Sequence, residues 1–394
     1  ELQKFSEKQL IELTQFIFNR CFLIVVSVST ADLDSAYRIF SVLNNRGLNL
    51  SYPDIVNAEM INAIPLEQQD EYTTKWEEVE TLLGGQAFED LFSYLRAIFS
   101  RQRARKGLIE EFRDHVYPRN PPICTPQEFI DHMLVRYAHA LNNIVKMNYQ
   151  SSPLSKSIAD EINGMFKWLN QLDRSNWIPP ALYYFVLHER QPEQILHFLT
   201  DLERLVVSFM ICRVPPYKRF DRYYNLLDAI HRKQDLFVPH SPLQLTHREC
   251  QETLRVLNGD IYSLHYVCRY ILLRLDRKLA ESVAVYNYET VSTEHVLPQR
   301  PMSNSEWFRC FPTREMRDRY VNKLGNLVLL SKGKNLRAEN FDFREKKIKY
   351  FTTQDGISPF ALTTQVLQYK EWTPASIEQR QNMLLGKLKE LWRL

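Results

Sequence analysis

Glycine is scarce in this chain of 394 residues, with only 10. So few glycines argue against a turn-rich, all-β architecture and favour long helices with few tight turns. Long apolar runs are missing as well. Crossing a bilayer as a helix takes about 18 consecutive apolar residues, and the longest such run, CFLIVV at 21–26, is far shorter. No membrane association is expected. The N-terminus has no secretory pattern of a charged start and an apolar core. Cysteines are few and dispersed, at Cys21, Cys124, Cys212, Cys250, Cys268 and Cys310, with no CxxC pair. That spacing argues against a zinc knuckle and a disulfide framework, and fits a reducing cytoplasm. No internal repeat or low-complexity tract occurs.

What is present is ordinary for a globular chain: 44% hydrophobic and 25% charged residues, with aromatics at 12%. The length allows two or three domains of ~100–200 residues each. The net charge of +3 hides an asymmetry. Residues 291–350 hold 13 Lys and Arg against 7 Asp and Glu, whereas the remainder holds 37 against 40. The basic segment is where a polyanion would be met, although a solvated lysine-rich surface reads the same way.

The pattern is mainly α. SEKQLIELTQFIFN opens with Ser6 as a helix cap. CFLIVV reads as a buried strand. Ala36, Ile39, Phe40 and Leu43 share a helical face that Gly47 would end, and Ser51 and Pro53 open a further helix that stops before Pro65. From about 70 to 285 helix follows helix. TPQEFIDHML carries a capping box of Thr125 and Glu128. After 285 the texture changes: SVAVYNYETVSTEHV alternates, LGNLVLLS (324–331) reads as a short strand, and NFDFREKKIKYF (340–351) reads as a basic helix. WTPASIEQRQNMLLGKLKELWRL closes the chain as a helix capped at Thr373, lined by Ile377, Leu384, Leu388 and Leu391. The expected domains are 1–70, a helical connecting domain at 71–285, and 286–394.

The chemistry concentrates on TEHVLPQ (293–299). Glu294 and His295 stand side by side where a strand should end. Asn326 follows His295 by 31 positions, and Asn335 follows Asn326 by nine. Singly these are common residues: a Glu-His pair on a loop, an Asn ending a strand, an Asn capping a helix. In this order, inside the basic segment, they resemble the ββα-metal centre of HNH endonucleases. Phosphodiester hydrolysis needs a water deprotonated near neutral pH, which imidazole can do. It also needs a hard cation, with oxygen ligands, to neutralise charge. Glu294 and Asn335 would hold one magnesium or manganese ion, His295 would activate water, and Asn326 would brace the loop carrying His295. Lys346 and Lys347 on the following helix are candidates for phosphate contact. So are Arg101, Arg103, Arg105 and Lys106, in a stretch (94–119) with 7 Lys and Arg against 3 acids. RVPPYKRFDRYY (213–224) mixes Arg213, Lys218, Arg219 and Arg222 with tyrosines in the same way. For both runs a solvated helix face is an equally good account. The other histidines, His132 and His139 among them, show no ligand spacing with nearby acids.

The strings TEHVLPQ, KLGNLVLLSKGKNLRAENFDFREKKIKYF and WTPASIEQRQNML resemble the C-terminal nuclease domain of GmrSD-like modification-dependent restriction enzymes. The resemblance covers about 285–394. Upstream, AYRIFSVLNNRGLNLSYPDIVNA is similar to the end of that family's N-terminal module. This implies a multi-helical middle domain followed by a C-terminal HNH (ββα-metal) domain with extra helices. It also implies a cytoplasmic bacterial enzyme that cuts double-stranded DNA in defence against phage. The DNA would be modified, or would lack the host's mark as in SspE-like systems. Two features depart from the family pattern. The family's DGQQR nucleotide motif is missing, so the nucleotide-binding module is expected as a partner outside this chain, with Asn44 and Gly47 in a corner that either ends a helix or docks on it. And the interval from His295 to Asn326 is roughly twice that of a compact HNH hairpin, so 300–322 reads as an insertion that holds DNA or simply packs. The alternatives are a non-catalytic DNA-binding or regulatory module that keeps the HNH scaffold for its basic surface alone, and a ribonuclease, which would use the same residues.

Overall fold

The computed structural model describes residues 6–21, 51–117, 124–150, 156–172, 176–280, 291–331, 340–349, 351–353 and 356–394. The expected strand at 21–26 lies almost entirely outside them, and the helix face at 36–43, Asn44 and Gly47 lie wholly outside. The chain divides into two compact units, Glu1–Ile55 and Val56–Leu394. In the first, α1 (Glu7–Arg20) begins at Ser6, whose hydroxyl and the Gln9 side chain form a reciprocal capping box. The next helix, α2 (Tyr52–Ile61), is opened by Ser51 and Asp54, whose side chains hydrogen-bond at 2.7 Å.

The second unit is mostly helical. Helices α3 (Leu66–Leu83), α4 (Gly85–Ser100) and α5 (Leu108–His115) meet through Trp76, Phe88, Phe92 and Phe112, whose rings lie 5.4–5.7 Å from their neighbours in edge-on or tilted contact. The Thr125–Glu128 capping box forms and leads through a widened turn into α6 (Val135–Lys146). Then come α7 (Lys156–Leu169), α8 (Ile178–Leu187), α9 (Pro192–Ile211), α10 (Pro216–His231), α11 (His247–Leu257) and α12 (His265–Leu279). None of the described helices is long and apolar enough to cross a membrane.

Helix α9 is buried almost all round, yet it carries Asp201, Glu203 and Arg204 on its buried surface. Charges removed from water must be answered by partners. Glu203 accepts two hydrogen bonds from Arg274 at 3.0 Å each, one from Tyr270 at 2.5 Å and one from the Trp392 indole at 3.1 Å. Asp201 pairs with Arg393 and accepts from Gln244 at 2.6 Å. The last helix, α15 (Pro374–Trp392), is thereby tied at its C-terminal end to the middle of the helical core.

At its other end α15 holds the hairpin. Strand β1 (Val291–His295) pairs antiparallel with β2 (Leu327–Ser331), with His295 opposite Leu327 and Glu294 opposite Val328. Side chains alternate across a strand. Accordingly Leu327 and Leu329 join the helical core, while Val328 and Leu330 join a second apolar cluster with Trp307, Phe311, Tyr320, Phe343 and Trp372. Segment 300–322, expected as an insertion, supplies much of that second cluster and includes α13 (Arg314–Val321). The expected strand at 324–331 is shortened. Leu324–Asn326 form a tight turn, because Arg380 of α15 binds the Gly325 and Leu327 carbonyls at 2.8 and 2.9 Å. Gly325 lies so close to α15 that a β-carbon there would run into the Ile377 carbonyl. Helix α14 (Phe343–Lys349) follows.

The buried pair dictates an outcome. Glu203→Ala strands Arg274 inside the core and should cost about 3–5 kcal/mol of stability, read by urea denaturation. Adding Arg274→Met should recover a large part of that loss.

Candidate functional site

Consecutive strand residues point to opposite faces, so Glu294 and His295 at the end of β1 meet different partners. Both are buried, at 8% and 7% exposure. On one side, Lys346 of α14 donates to Glu294 Oε1 at 2.6 Å and to the His295 carbonyl at 2.7 Å. Its side chain has no exposed surface. The expectation that Lys346 contacts phosphate therefore fails: its ammonium is spent inside the protein, balancing a buried carboxylate. Burial pushes the Glu294 carboxyl up from its usual range, with Lys346 pulling the other way. Burial likewise pushes the Lys346 ammonium down, with Glu294 opposing.

On the other side, the His295 ring stands edge-on to Tyr262, with centroids 4.3 Å apart. Its Nε2 lies 3.2 Å from Asn322 Oδ1. Asn322 in turn donates through Nδ2 to Asp260 Oδ2 at 3.1 Å, and its carbonyl accepts from the backbone amides of Ile261 and Tyr262. Because the amide nitrogen of Asn322 is committed to Asp260, its oxygen faces the ring. His295 must then carry its proton on Nε2, which leaves Nδ1 as the basic nitrogen. Burial lowers the imidazole pKa to about 4, with the Asn322 bond opposing, so the ring is neutral at neutral pH.

Asn326 touches none of these side chains. Its Oδ1 accepts from Leu297 N at 2.8 Å and from the Trp372 indole at 2.9 Å. Its Nδ2 donates to the Leu297 carbonyl at 3.0 Å and the Val321 carbonyl at 2.8 Å. Every hydrogen-bonding position of the amide is filled. The residue positions the backbone that leaves His295. Asn335 lies outside the described residues.

The remaining basic candidates divide. Lys347 is half-buried, donates to the Tyr369 carbonyl at 2.7 Å, and lines a cleft of about 430 Å³ together with Arg309, Arg344 and Lys370. Glu306 and Glu371 line the same cleft, and Glu371 pairs with Arg309 at 3.3 Å, so its charge is mixed. The other cluster is largely answered by its own acids. Arg103 pairs with Asp221 at 2.6 Å, and Lys106 with Glu110 and Asp114 at 2.9 Å each. Arg101 lies 3.7 Å from Asp228. The Arg105 and Lys106 amides both donate to Glu111. Phosphates would have to compete with these carboxylates.

Among the described residues no three His, Cys, Asp or Glu side chains converge as a metal set. The carboxylate oxygen of Glu294 and the carbonyl oxygen of His295 are hard donors, but both are already taken by the Lys346 ammonium, which a divalent ion using Glu294 would have to displace. Sequence reasoning missed Asp260, Tyr262 and Asn322. Asp260 and Tyr262 belong to the turn between α11 and α12, on the far side of the boundary expected at 285, and Asn322 sits in the presumed insertion. Neither spacing carries a recognisable signal.

Residues 253–387 match the family model described as GmrSD restriction endonucleases, C-terminal domain. The match begins inside α11 and so includes the turn that bears Asp260. No curated protein matches the chain.

Two measurements probe this geometry. In ¹⁵N-histidine spectra His295 should appear as the Nε2–H tautomer, and Asn322→Ala should erase that preference. Asn326→Asp places a charge against two carbonyls and removes two donors. It should cost about 3 kcal/mol or more in urea denaturation.

Proposed function

We propose, from the premise that residues 253–387 are a GmrSD-type restriction endonuclease C-terminal domain, that the end of β1 is the centre of an HNH-type DNA endonuclease requiring magnesium or manganese. Its role would be to cut modified or unmarked phage DNA in a bacterial cell. The observation that carries this reading is the buried His295 imidazole, held through Nε2 by Asn322 and next in the chain to the Glu294 carboxylate at the end of β1.

The chain's own residues then divide the work. His295 Nδ1 takes a proton from water, and the water oxygen attacks phosphorus in line with the P–O bond that breaks. Burial keeps the imidazole neutral at neutral pH and equally disfavours the imidazolium, so its uptake of the proton depends on the negative charge of the bound phosphate to stabilise the charged ring. Asp260 and Asn322 keep its lone pair on Nδ1, and the edge of Tyr262 limits ring rotation. Asn326 keeps Val296 and Leu297 in place through its own carbonyl and side chain. Glu294, with Asn335, would hold the divalent ion, which when bound neutralises charge on the phosphate and the leaving oxygen. Arg344 and Lys370 would contact the flanking backbone in the cleft that they share with Glu306 and Glu371.

The competing reading, a DNA-binding module without catalysis, draws on one feature: Lys346 already satisfies the Glu294 charge. Plasmid nicking in magnesium or manganese decides between them. His295→Ala should reduce nicking by at least ~100-fold and leave DNA affinity within a factor of a few. Manganese binding should weaken in Glu294→Ala. Nicking that survives His295→Ala would refute the mechanism, and wild-type protein that binds DNA but neither nicks it nor binds manganese would favour the module.

A further inference from the structure

The His295 partner Tyr262 has a second neighbour. Its ring lies 5.8 Å from that of His265, at an interplanar angle of 83°. His265 is at most the sum of this step and the 4.3 Å Tyr262–His295 step from the proposed base. That span is of the order of one nucleotide. At His265 the surface opens into a cleft of about 360 Å³ between the end of α9 and the start of α12. The volume falls within the range of small-ligand sites, ~300–1,000 Å³.

The lining mixes two chemistries. Met210, Val214 and Leu264 are apolar, while Arg213, which donates to the Ser263 carbonyl at 2.9 Å, and Arg219, which lies 3.7 Å from Met210 Sδ, are cationic. Tyr266 stands at the mouth with 93% of its surface exposed. A large aromatic side chain left in water at the edge of an apolar hollow is a stacking platform rather than a core residue. A flat apolar ring with an anionic tail matches this combination: the ring against the apolar side chains and the tyrosine, the anion against the guanidiniums.

We infer that this cleft receives one nucleobase, unstacked from the DNA beside the phosphate presented to His295. The inference rests on the proposed DNA-cutting function and adds where the neighbouring base goes. Enzymes that need access to a duplex commonly pay the cost of unstacking and recover it through stacking on aromatic side chains. Here the two halves of the chain divide that task, with the hairpin holding the phosphate and the α9–α12 cleft holding the base.

The test uses the full chain and duplexes carrying 2-aminopurine at successive positions, whose fluorescence rises when the base leaves the stack. Wild-type protein at saturation should raise the signal several-fold at one or a few positions. Tyr266→Ala removes only exposed surface, and Val214→Trp fills the cleft. Each should abolish most of the rise and weaken duplex binding by roughly 10-fold, and Tyr266→Ala should do so with the thermal melting curve unchanged. The inference is overturned if no position responds to wild-type protein, or if the response survives both substitutions. A cleft that instead took a peptide side chain from another protein would give that null signal. Plasmid nicking is scored separately. Unstacking without nicking upholds the cleft and defeats the hydrolase, whereas nicking without unstacking does the reverse.

Discussion

A guanidinium with no carboxylate paired to it among the described residues shapes the hairpin end. Arg380 is fully buried and donates to the carbonyls of Leu324, Gly325, Leu327 and Leu362. Burial lowers its pKa to about 10, so it remains charged at neutral pH and four backbone dipoles serve as its counter-charge. The carbonyls of Leu324 and Gly325 belong to the turn that presents Asn326, that of Leu327 opens β2, and Asn326 sets the backbone just beyond His295. Moving α15 would move the turn, and moving the turn would move the residues that follow His295. Because α15 is also locked to Glu203 and Asp201 on α9, the geometry at the end of β1 is referenced to the centre of the helical core.

Legibility in the sequence followed the range of the interaction. Caps are local, and Ser6, Thr125 and Thr373 announce their helices within four residues. The helical character of 70–280 follows from periodicity in the same way. The hairpin was legible in outline, since the residues before Glu294 alternate and a short continuous apolar run follows Asn326, both of them strand patterns. Its exact start was not, because the Leu324–Asn326 turn is imposed by Arg380 from 53 to 56 residues away.

Lys346 shows where pattern reading fails in kind. A Lys-Lys pair on a short basic helix reads as solvated or phosphate-facing, and charged residues are seldom fully buried. Only the carboxylate of Glu294, 52 positions earlier, makes the burial tolerable. Asp260 and Asn322 pose a harder case. Each is an unremarkable polar residue, and their significance exists only once a turn of the helical domain is laid against the segment before β2.

That last contact also fixes what counts as an indivisible piece of this protein. The hairpin and its covering helix could be excised as a tidy segment beginning near residue 286, and the strands would still have each other. The imidazole would not keep its orientation, since the groups that set its proton and its tilt arrive from Asp260 and Tyr262, ahead of that cut. A segment cut at the hairpin's edge is therefore not a self-sufficient unit for this geometry. A transferable module has to carry the preceding pair of helices along with it.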